Sequence, residues 1–370
     1  MPRYAAIDIG SNSVRMMAAD VGHGETHILA QERQVTRLGE SVFRQGRISA
    51  EALGFLCATL QRMASLYQRL DVIGIRAVAT SAVRDSGNQS EFLERASQAL
   101  GVNVEIISGQ EEARLIHLGV EARWSRPKER TLIVDVGGGS AELIVSQDGR
   151  LLDATSRPLG AVRLNEVFLG SDPATPEEIS RLEQYIEEKI APFVKKHGDE
   201  KFDRAIATSS TAAALVCAIN RIPRSVRDSA DKIRASRAQI RSLYQQLIGA
   251  NLAARRKIIG IGPRRAEIIT GGTAVFLSIL EAFGHPSLYY LGAGVRDGII
   301  ADLAARGVGR ELSQLSREQR LVVEAMSKRY SVALKHTRKV AALCHRLFEL
   351  TQPLHQLPPA AGKLLEAAAY

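Results

Sequence analysis

Two stretches of this chain share one layout. Residues 5–20, AAIDIGSNSVRMMAAD, read as an apolar strand, a tight turn of small polar residues and a second strand, and residues 132–147, LIVDVGGGSAELIVSQ, repeat it. Each copy sets an Asp, Asp8 or Asp135, ahead of a Gly-rich turn. Each then passes through a hairpin turn, Gly22-His23-Gly24 or Asp148-Gly149, into further strand-like sequence that ends at Leu38-Gly39 or Leu159-Gly160. Two copies of one three-stranded unit imply a duplicated domain, which restricts the chain to folds built from two such halves.

Helical periods separate the strand blocks. Residues 49–70 predict an amphipathic helix entered at Ser49, 73–80 a buried strand, 91–100 a helix, 104–108 a strand and 110–124 a helix. The order βββαβαβα is the actin-like, ribonuclease-H-like arrangement. The second copy is followed more loosely by a helix over 176–195, a strand over 204–208, a helix over 236–247, a strand over 289–291 and a closing helix over 295–304. From Ser316 the pattern is nearly all helical: residues 316–319 form a capping-box sequence, 335–350 a second helix, and Pro358-Pro359 starts a third that still runs at Tyr370. At 370 residues, 45% of them hydrophobic, the chain is too long for one ordinary core. The expectation is therefore an α/β protein with two actin-like domains, 1–125 and 126–305, an interdomain cleft, and a helical segment over 306–370.

Several classes are excluded. Asp8 interrupts the first apolar run and no later stretch approaches a membrane span, so neither a signal peptide nor a transmembrane helix is expected, and the protein is placed in the cytoplasm. Cys57, Cys217 and Cys344 are too scattered for a disulfide framework or structural zinc. The net charge of +9 lies outside the first domain: residues 1–125 sum to −1, 126–300 to +5 and 301–370 to +5. A basic half suits a polyanionic substrate, and a solvated basic face with no partner fits equally well.

A Gly/Ser turn after a strand lets backbone N–H groups converge on phosphate oxygens, through close approach and the positive φ that small residues tolerate. Gly10-Ser11-Asn12-Ser13 and Gly137-Gly138-Gly139-Ser140 are both such turns, and a duplicated geometry faces them across a cleft. Asp135 and Glu142, with phosphate oxygens and waters, suit Mg²⁺; Glu142 fits an exposed strand position as readily. Glu111 and Glu112 open a helix, where acids are ordinary dipole partners, but either could take a proton from a water aligned on a terminal phosphorus. Arg84 leaves the end of a predicted central strand, placed for bidentate phosphate contact or for an ion pair with Asp85. Ser210 and Thr211 stand at a helix start that could take an anion. Gly271-Gly272 forms a further turn, expected between a strand and a helix, that either binds nothing or lines a passage for a longer phosphate chain.

These motifs together resemble the exopolyphosphatase and guanosine pentaphosphate phosphohydrolase family of the sugar-kinase, actin and chaperone-ATPase superfamily. The resemblance runs from residue 4 to residue 310 through DIGSNSVR, ATSAVRD, ISGQEEARL, DVGGGSAEL, SSTAAAL, AEIITGG and GAGVRDGI, in the family's order. It implies that Glu112 rather than Glu111 is the catalytic base and that Arg84 grips the substrate. It implies further that Asp135 and Glu142, with Asp8, organise Mg²⁺ or Mn²⁺, and that the turns, with Ser210, Thr211 and Gly271, hold phosphates. The substrate would be polyphosphate or guanosine pentaphosphate, tying the protein to the stringent response. A homodimer is expected, and no nucleic-acid duplex as partner. The helical tail looks like the start of the HD-type domain of longer members, cut off before a His-Asp pair, so His336 has no metal partners and is read as structural.

Two rivals remain at this point. A kinase of the same superfamily would need a nucleotide pocket and an acceptor-binding Asp. A non-catalytic alarmone-binding or actin-like module would make the carboxylates at 112, 135 and 142 dispensable.

Overall fold

The duplicated hairpins sit in the middle of two separate sheets. The structure, a computed structural model, describes residues 1–22, 25–306, 315, 317–330, 332–357 and 359–370. In the first sheet β1 (Arg3–Ile9), β2 (Ser13–Gly22) and β3 (Glu25–Val35) pair antiparallel, and β4 (Gly74–Ala79) and β5 (Val104–Ile106) join parallel on the other side of β1. The order is β3-β2-β1-β4-β5. In the second sheet β6 (Arg130–Val136), β7 (Ala141–Gln147), β8 (Arg150–Arg157), β9 (Arg204–Thr208) and β11 (Ser287–Tyr290) repeat it as β8-β7-β6-β9-β11, and β10 (Arg234–Ser236) adds an antiparallel edge. The fold is α/β with two actin-like domains, as the residue pattern predicts. In the Asp148-Gly149 hairpin turn both residues take positive φ, 53° and 70°, the backbone such a two-residue turn requires.

Helices cover the sheets. The first half carries α1 (Leu38–Gln45), α2 (Ala50–Gln68), α3 (Ser81–Arg84) and α4 (Gln89–Leu100). Leu53, Leu56, Leu60 and Phe92 from α2 and α4 close its core against Ile7, Ile9 and Met16. The second half carries α6 (Ala161–Phe168), α7 (Pro176–His197), α8 (Ser209–Ile219), α9 (Arg237–Ile248), α10 (Leu252–Arg255), α11 (Pro263–Ala266) and α12 (Ile269–Ala282). Helix starts follow their caps: Ser49 accepts from the Ala52 N–H, and Thr175 and Glu178 form a reciprocal capping box ahead of Pro176.

α5 (Gly109–Trp124) leaves the first sheet but packs on the second, where Ala113, Ile116 and Val120 meet Ile133, Ile144 and Ile206. It crosses α13 (Val295–Arg306) at backbone distance. A Cβ on Gly119 would stand 2.5 Å from the Gly294 carbonyl oxygen, and one on Gly298 would overlap the Leu115 carbonyl. The crossing therefore depends on glycine at both positions.

Two elements depart from expectation. α1 begins at Leu38 and α6 just past Gly160, where sequence shows only the end of a strand block. Gly271 and Gly272 are not a turn after a strand: they lie in the first turns of α12, preceded by α11. A Cβ on Gly272 would overlap Thr211 Cγ2, and one on Gly271 would stand 3.0 Å from Leu164 Cβ. These glycines let α12 pack against α8 and α6, so Gly271 is withdrawn as a phosphate-binding residue.

The chain forms two compact units, Met1–Ala301 and Asp302–Tyr370, and both sheets lie in the first. The second contains α14 (Arg317–Arg329), α15 (Leu334–Leu350), α16 (Gln352–His355) and α17 (Pro359–Ala368), tied by Arg338–Glu324 at 2.7 Å and Arg320–Glu366 at 2.9 Å. α17 stops at Ala368 rather than running through Tyr370, and His336 is exposed. Ser316, Pro358 and the His23-Gly24 turn lie outside the described residues. The three cysteines are free, and no described helix is long and apolar enough to cross a membrane.

Candidate active site

The two phosphate turns are built alike. At the end of β1 the Gly10 N–H donates to the Ser13 carbonyl at 3.1 Å; at the end of β6 the Gly137 N–H donates to the Ser140 carbonyl at 3.0 Å. The segment entering each following helix returns to its turn: Gly39 N–H donates to the Ser11 carbonyl at 2.7 Å, and Val162 N–H to the Gly138 carbonyl at 2.9 Å. None of Gly10, Gly137, Gly138 and Gly139 has positive φ, contrary to the backbone expected from sequence. Their smallness serves approach instead. A Cβ on Gly138 would stand 3.1 Å from the Asn12 nitrogen, and one on Gly139 only 2.5 Å from Ser81 Oγ, so the two turns meet across the junction of the halves. The N–H groups of Asn12, Gly138 and Gly139 make no hydrogen bond among the described residues, leaving them available to an anion.

Above the turns opens a cleft of about 610 Å³. Asp8, Gly10, Ser11, Asn12, Ser13, Glu112, Asp135, Gly137, Gly138, Gly139, Ser140, Ser210 and Thr211 all line it. Ser11 is nonetheless engaged, its hydroxyl accepting from the Ala82 N–H at 3.1 Å. α8 points its N-terminus into the cleft, and Ser209 before Ser210 is held at φ 86°, a strained backbone for a non-glycine residue. Arg84 and Glu142 do not reach the wall. Arg84 stands behind it and donates to the Ile107 carbonyl at 2.8 Å and to Glu112 Oε2 at 3.4 Å, so its ionic partner is Glu112 and not Asp85. Glu142 is fully buried, accepting from Ser156 Oγ at 2.7 Å, while its Oε2 makes no hydrogen bond; the exposed-strand alternative fails.

The acids are held in unusual states. Burial, then the Glu142 charge, pushes the Glu112 carboxyl well above its usual range, with Arg84 opposing. Burial and the Asp135 charge push Glu142 up to about 8. Burial raises Asp135 to about 6 against a hydrogen bond from Thr208, and raises Asp8 against Arg15. Glu111 is the opposite case. Burial pushes it up, but Arg114 and Arg76 outweigh that and hold it at about 2, turned away from the cleft.

Sequence reasoning missed Arg15, Arg33, Arg227 and Arg296 of the same cleft. Arg15 on β2 donates to Ser210 Oγ and faces Arg33 on β3, a cross-strand pair of like charges that costs stability. Arg227, Arg265 and Arg296 add to them from the second half. Burial, with the neighbouring arginines, lowers both Arg33 and Arg265 to about 9. None of these five pairs with a carboxylate among the described residues. The signal was present in the DIGSNSVR hairpin, whose register sets Arg15 opposite Asp8. The densest basic run of the sequence, Arg255-Arg256-Lys257 with Arg264-Arg265, behaves differently: Arg255 is buried against Asp172 at 3.0 Å, Arg256 pairs with Glu267 at 3.2 Å, Lys257 and Arg264 are exposed, and only Arg265 lines the cleft.

Known proteins share this architecture. The model of the Ppx/GppA phosphatase family matches residues 17–306. A guanosine-5'-triphosphate,3'-diphosphate pyrophosphatase of Aliivibrio fischeri is 28% identical over 369 residues, which cover 99% of this chain and 71% of that protein. The crystal structure of the Aquifex aeolicus Ppx/GppA family member superposes with a TM-score of 0.70 at 28% identity, over 81% of this chain and 96% of that one. An exopolyphosphatase from Cytophaga hutchinsonii, at 24% identity, shares the fold with a TM-score of 0.75 over 80% of this chain and 96% of its own.

Proposed function

The chain belongs to the Ppx/GppA phosphatase family, and from that premise we propose that it is a phosphoanhydride hydrolase that removes the terminal phosphate of polyphosphate or of guanosine pentaphosphate. One observation carries the reading: a buried acid paired with Arg84 stands in the same cleft as two matched phosphate turns and five arginines without carboxylate partners. The terminal phosphate sits between the turns, held by the N–H groups of Asn12, Gly138 and Gly139 and by the N-terminus of α8. Glu112 takes the proton of a water aligned on phosphorus; the new O–P bond forms as the bridging P–O bond breaks, and the shortened chain leaves carrying the negative charge. Once ionised, a carboxylate whose pKa is raised binds a proton more strongly than an ordinary one, which favours its role as base. The arginines neutralise the phosphates behind the scissile bond, and Tyr290, Met17 and Ile28 on the same wall offer apolar surface to a nucleoside.

A divalent cation fits the residues present. Asp8, Glu112, Asp135 and Glu142 are buried near one another, and the neighbouring carboxylates push up Glu112, Asp135 and Glu142, a repulsion that a cation would relieve. Among the described residues no three His, Cys, Asp or Glu side chains converge on one point, so Mg²⁺ would take few protein oxygens, chiefly from Asp135 and Asp8, and complete its shell with phosphate and water. Glu142, off the wall, would act on it through Asp135. When bound, the ion supplies charge neutralisation of the transferring phosphoryl group. With the reading go a homodimer in the cytoplasm, which light scattering of the purified protein checks for assembly.

Parallel hydrolysis assays on polyphosphate and guanosine pentaphosphate test the activity. Glu112→Gln should bind substrate while losing about 10²–10⁴-fold in kcat. Wild-type turnover in that variant would leave a non-catalytic binding module as the better reading.

A further inference from the structure

Arg163 lies outside the cleft and belongs to none of the motifs, yet its guanidinium joins both halves. It projects from α6, where its own N–H donates to the Gly138 carbonyl at 3.1 Å, and its Nε donates to the Gly139 carbonyl at 2.8 Å. Its Nη2 crosses to the first half, donating to Ser81 Oγ at 3.3 Å and to the Asp85 carboxylate. The guanidinium plane is centred 4.1 Å from the Phe43 ring of α1. Four kinds of partner, a carbonyl, a hydroxyl, a carboxylate and an aromatic face, are thus satisfied by one planar fork, which a lysine cannot imitate.

The partners in the first half matter because of what they carry. Ser81 and Asp85 bracket the four-residue α3, whose N-terminal Ala82 N–H is held by Ser11 of the first turn and whose last residue is Arg84. So short a helix has little rigidity of its own. A continuous path therefore runs from the Gly139 carbonyl through Arg163 to α3, and from Arg84 to Glu112.

We infer that Arg163 is a positioning residue for catalysis: by bolting α3 to the second phosphate turn, it fixes Arg84 and Glu112 relative to the phosphate being transferred. The inference rests on the proposed hydrolase reading. Because Arg163 does not line the cleft, its loss should leave binding by the cleft arginines in place and act on the chemical step.

The test is steady-state kinetics of Arg163→Met and Arg163→Lys, with Arg84→Met and the double variant, on polyphosphate and guanosine pentaphosphate, each with its Tm. Arg163→Met is expected to lose between about 10-fold and 10²-fold in kcat, the scale of a small misplacement of reacting groups, with KM within about threefold. Arg163→Lys should lie between it and the parent, and covers the case in which Arg163→Met does not fold. In the Arg84→Met background the Arg163→Met effect should largely vanish, since both act through one helix. Unchanged kcat in the Arg163 variants, losses that simply multiply in the double variant, or losses that follow Tm would overturn the inference. If Arg84→Met and Glu112→Gln themselves turn over at the parent rate, the hydrolase reading falls instead.

Discussion

Glu111 and Glu112 are neighbours in sequence and opposites in the fold, because a helix turns consecutive side chains by about 100°. Glu111 meets Arg76 and Arg114 and is held ionised; Glu112 meets the other buried acids and resists ionisation. From sequence the one local sign that separates them is the i,i+3 spacing of Glu111 and Arg114; Arg76, the other partner, comes from β4 and is visible only in the fold. The buried acids also make a prediction about stability. Glu142, ordinarily near 4.5, is raised to about 8, so the folded state keeps a proton that the unfolded chain gives up. Stability from such a group is full below the unfolded value and is lost as pH rises toward the folded one. The Tm of EDTA-treated protein should therefore fall between about pH 5 and pH 8, less steeply in Glu142→Gln, and Mg²⁺ should restore more Tm at the upper pH than at the lower. A flat Tm profile for the metal-free parent would contradict this.

At the scale of elements, the strands and the long helices were legible because their periods of two and 3.6 are written over enough residues. β1, β4, α2, α5 and α7 lie where alternation and capping residues put them. The short elements were not. α1, α3 and α6 have eight, four and eight residues, too few for a period to register, and tertiary contacts form them: α1 and α6 are held to the phosphate turns through Gly39 and Val162. Glycine was ambiguous for a related reason. Gly271-Gly272 has the composition of a phosphate turn, yet it thins a helix for packing, just as Gly119 and Gly298 do where α5 and α13 cross. That crossing is the tightest contact between the two helices that pass between the halves. Gly298→Ala should lower Tm by more than an exposed Gly→Ala raises it, since the methyl would meet the Leu115 carbonyl rather than a movable side chain. Thermal unfolding of Gly298→Ala beside Gly54→Ala, where the added methyl meets open space, separates the two effects; equal and small shifts would mean the helices part easily.

For the molecule as a whole, charge summed along the chain misdirected attention. The first half carries a net −1, yet it contributes Arg15 and Arg33 to the cleft, while much of the basic excess farther along is spent in ion pairs such as Arg255–Asp172 and Arg256–Glu267. What a polyanion meets is set by which charges lack a partner, and the fold gathers those from both halves. A cross-strand Arg15–Arg33 pair is a cost that a bound anion offsets, which gives the final prediction two opposed readouts. Arg33→Gln should raise the Tm of the free protein and raise KM, more for long polyphosphate chains than for short ones, because only a long chain reaches phosphates beyond the scissile bond. Raising salt should weaken binding of long chains to the parent by the same route, screening acting on every added contact, and Arg33→Gln should show a shallower dependence. Arg256→Ala combined with Lys257→Ala, both outside the cleft, should leave KM and its salt dependence where they are. If the outer pair proves to govern KM while Arg33→Gln leaves it unmoved, the phosphate chain leaves the site over the exposed basic run and not along the cleft.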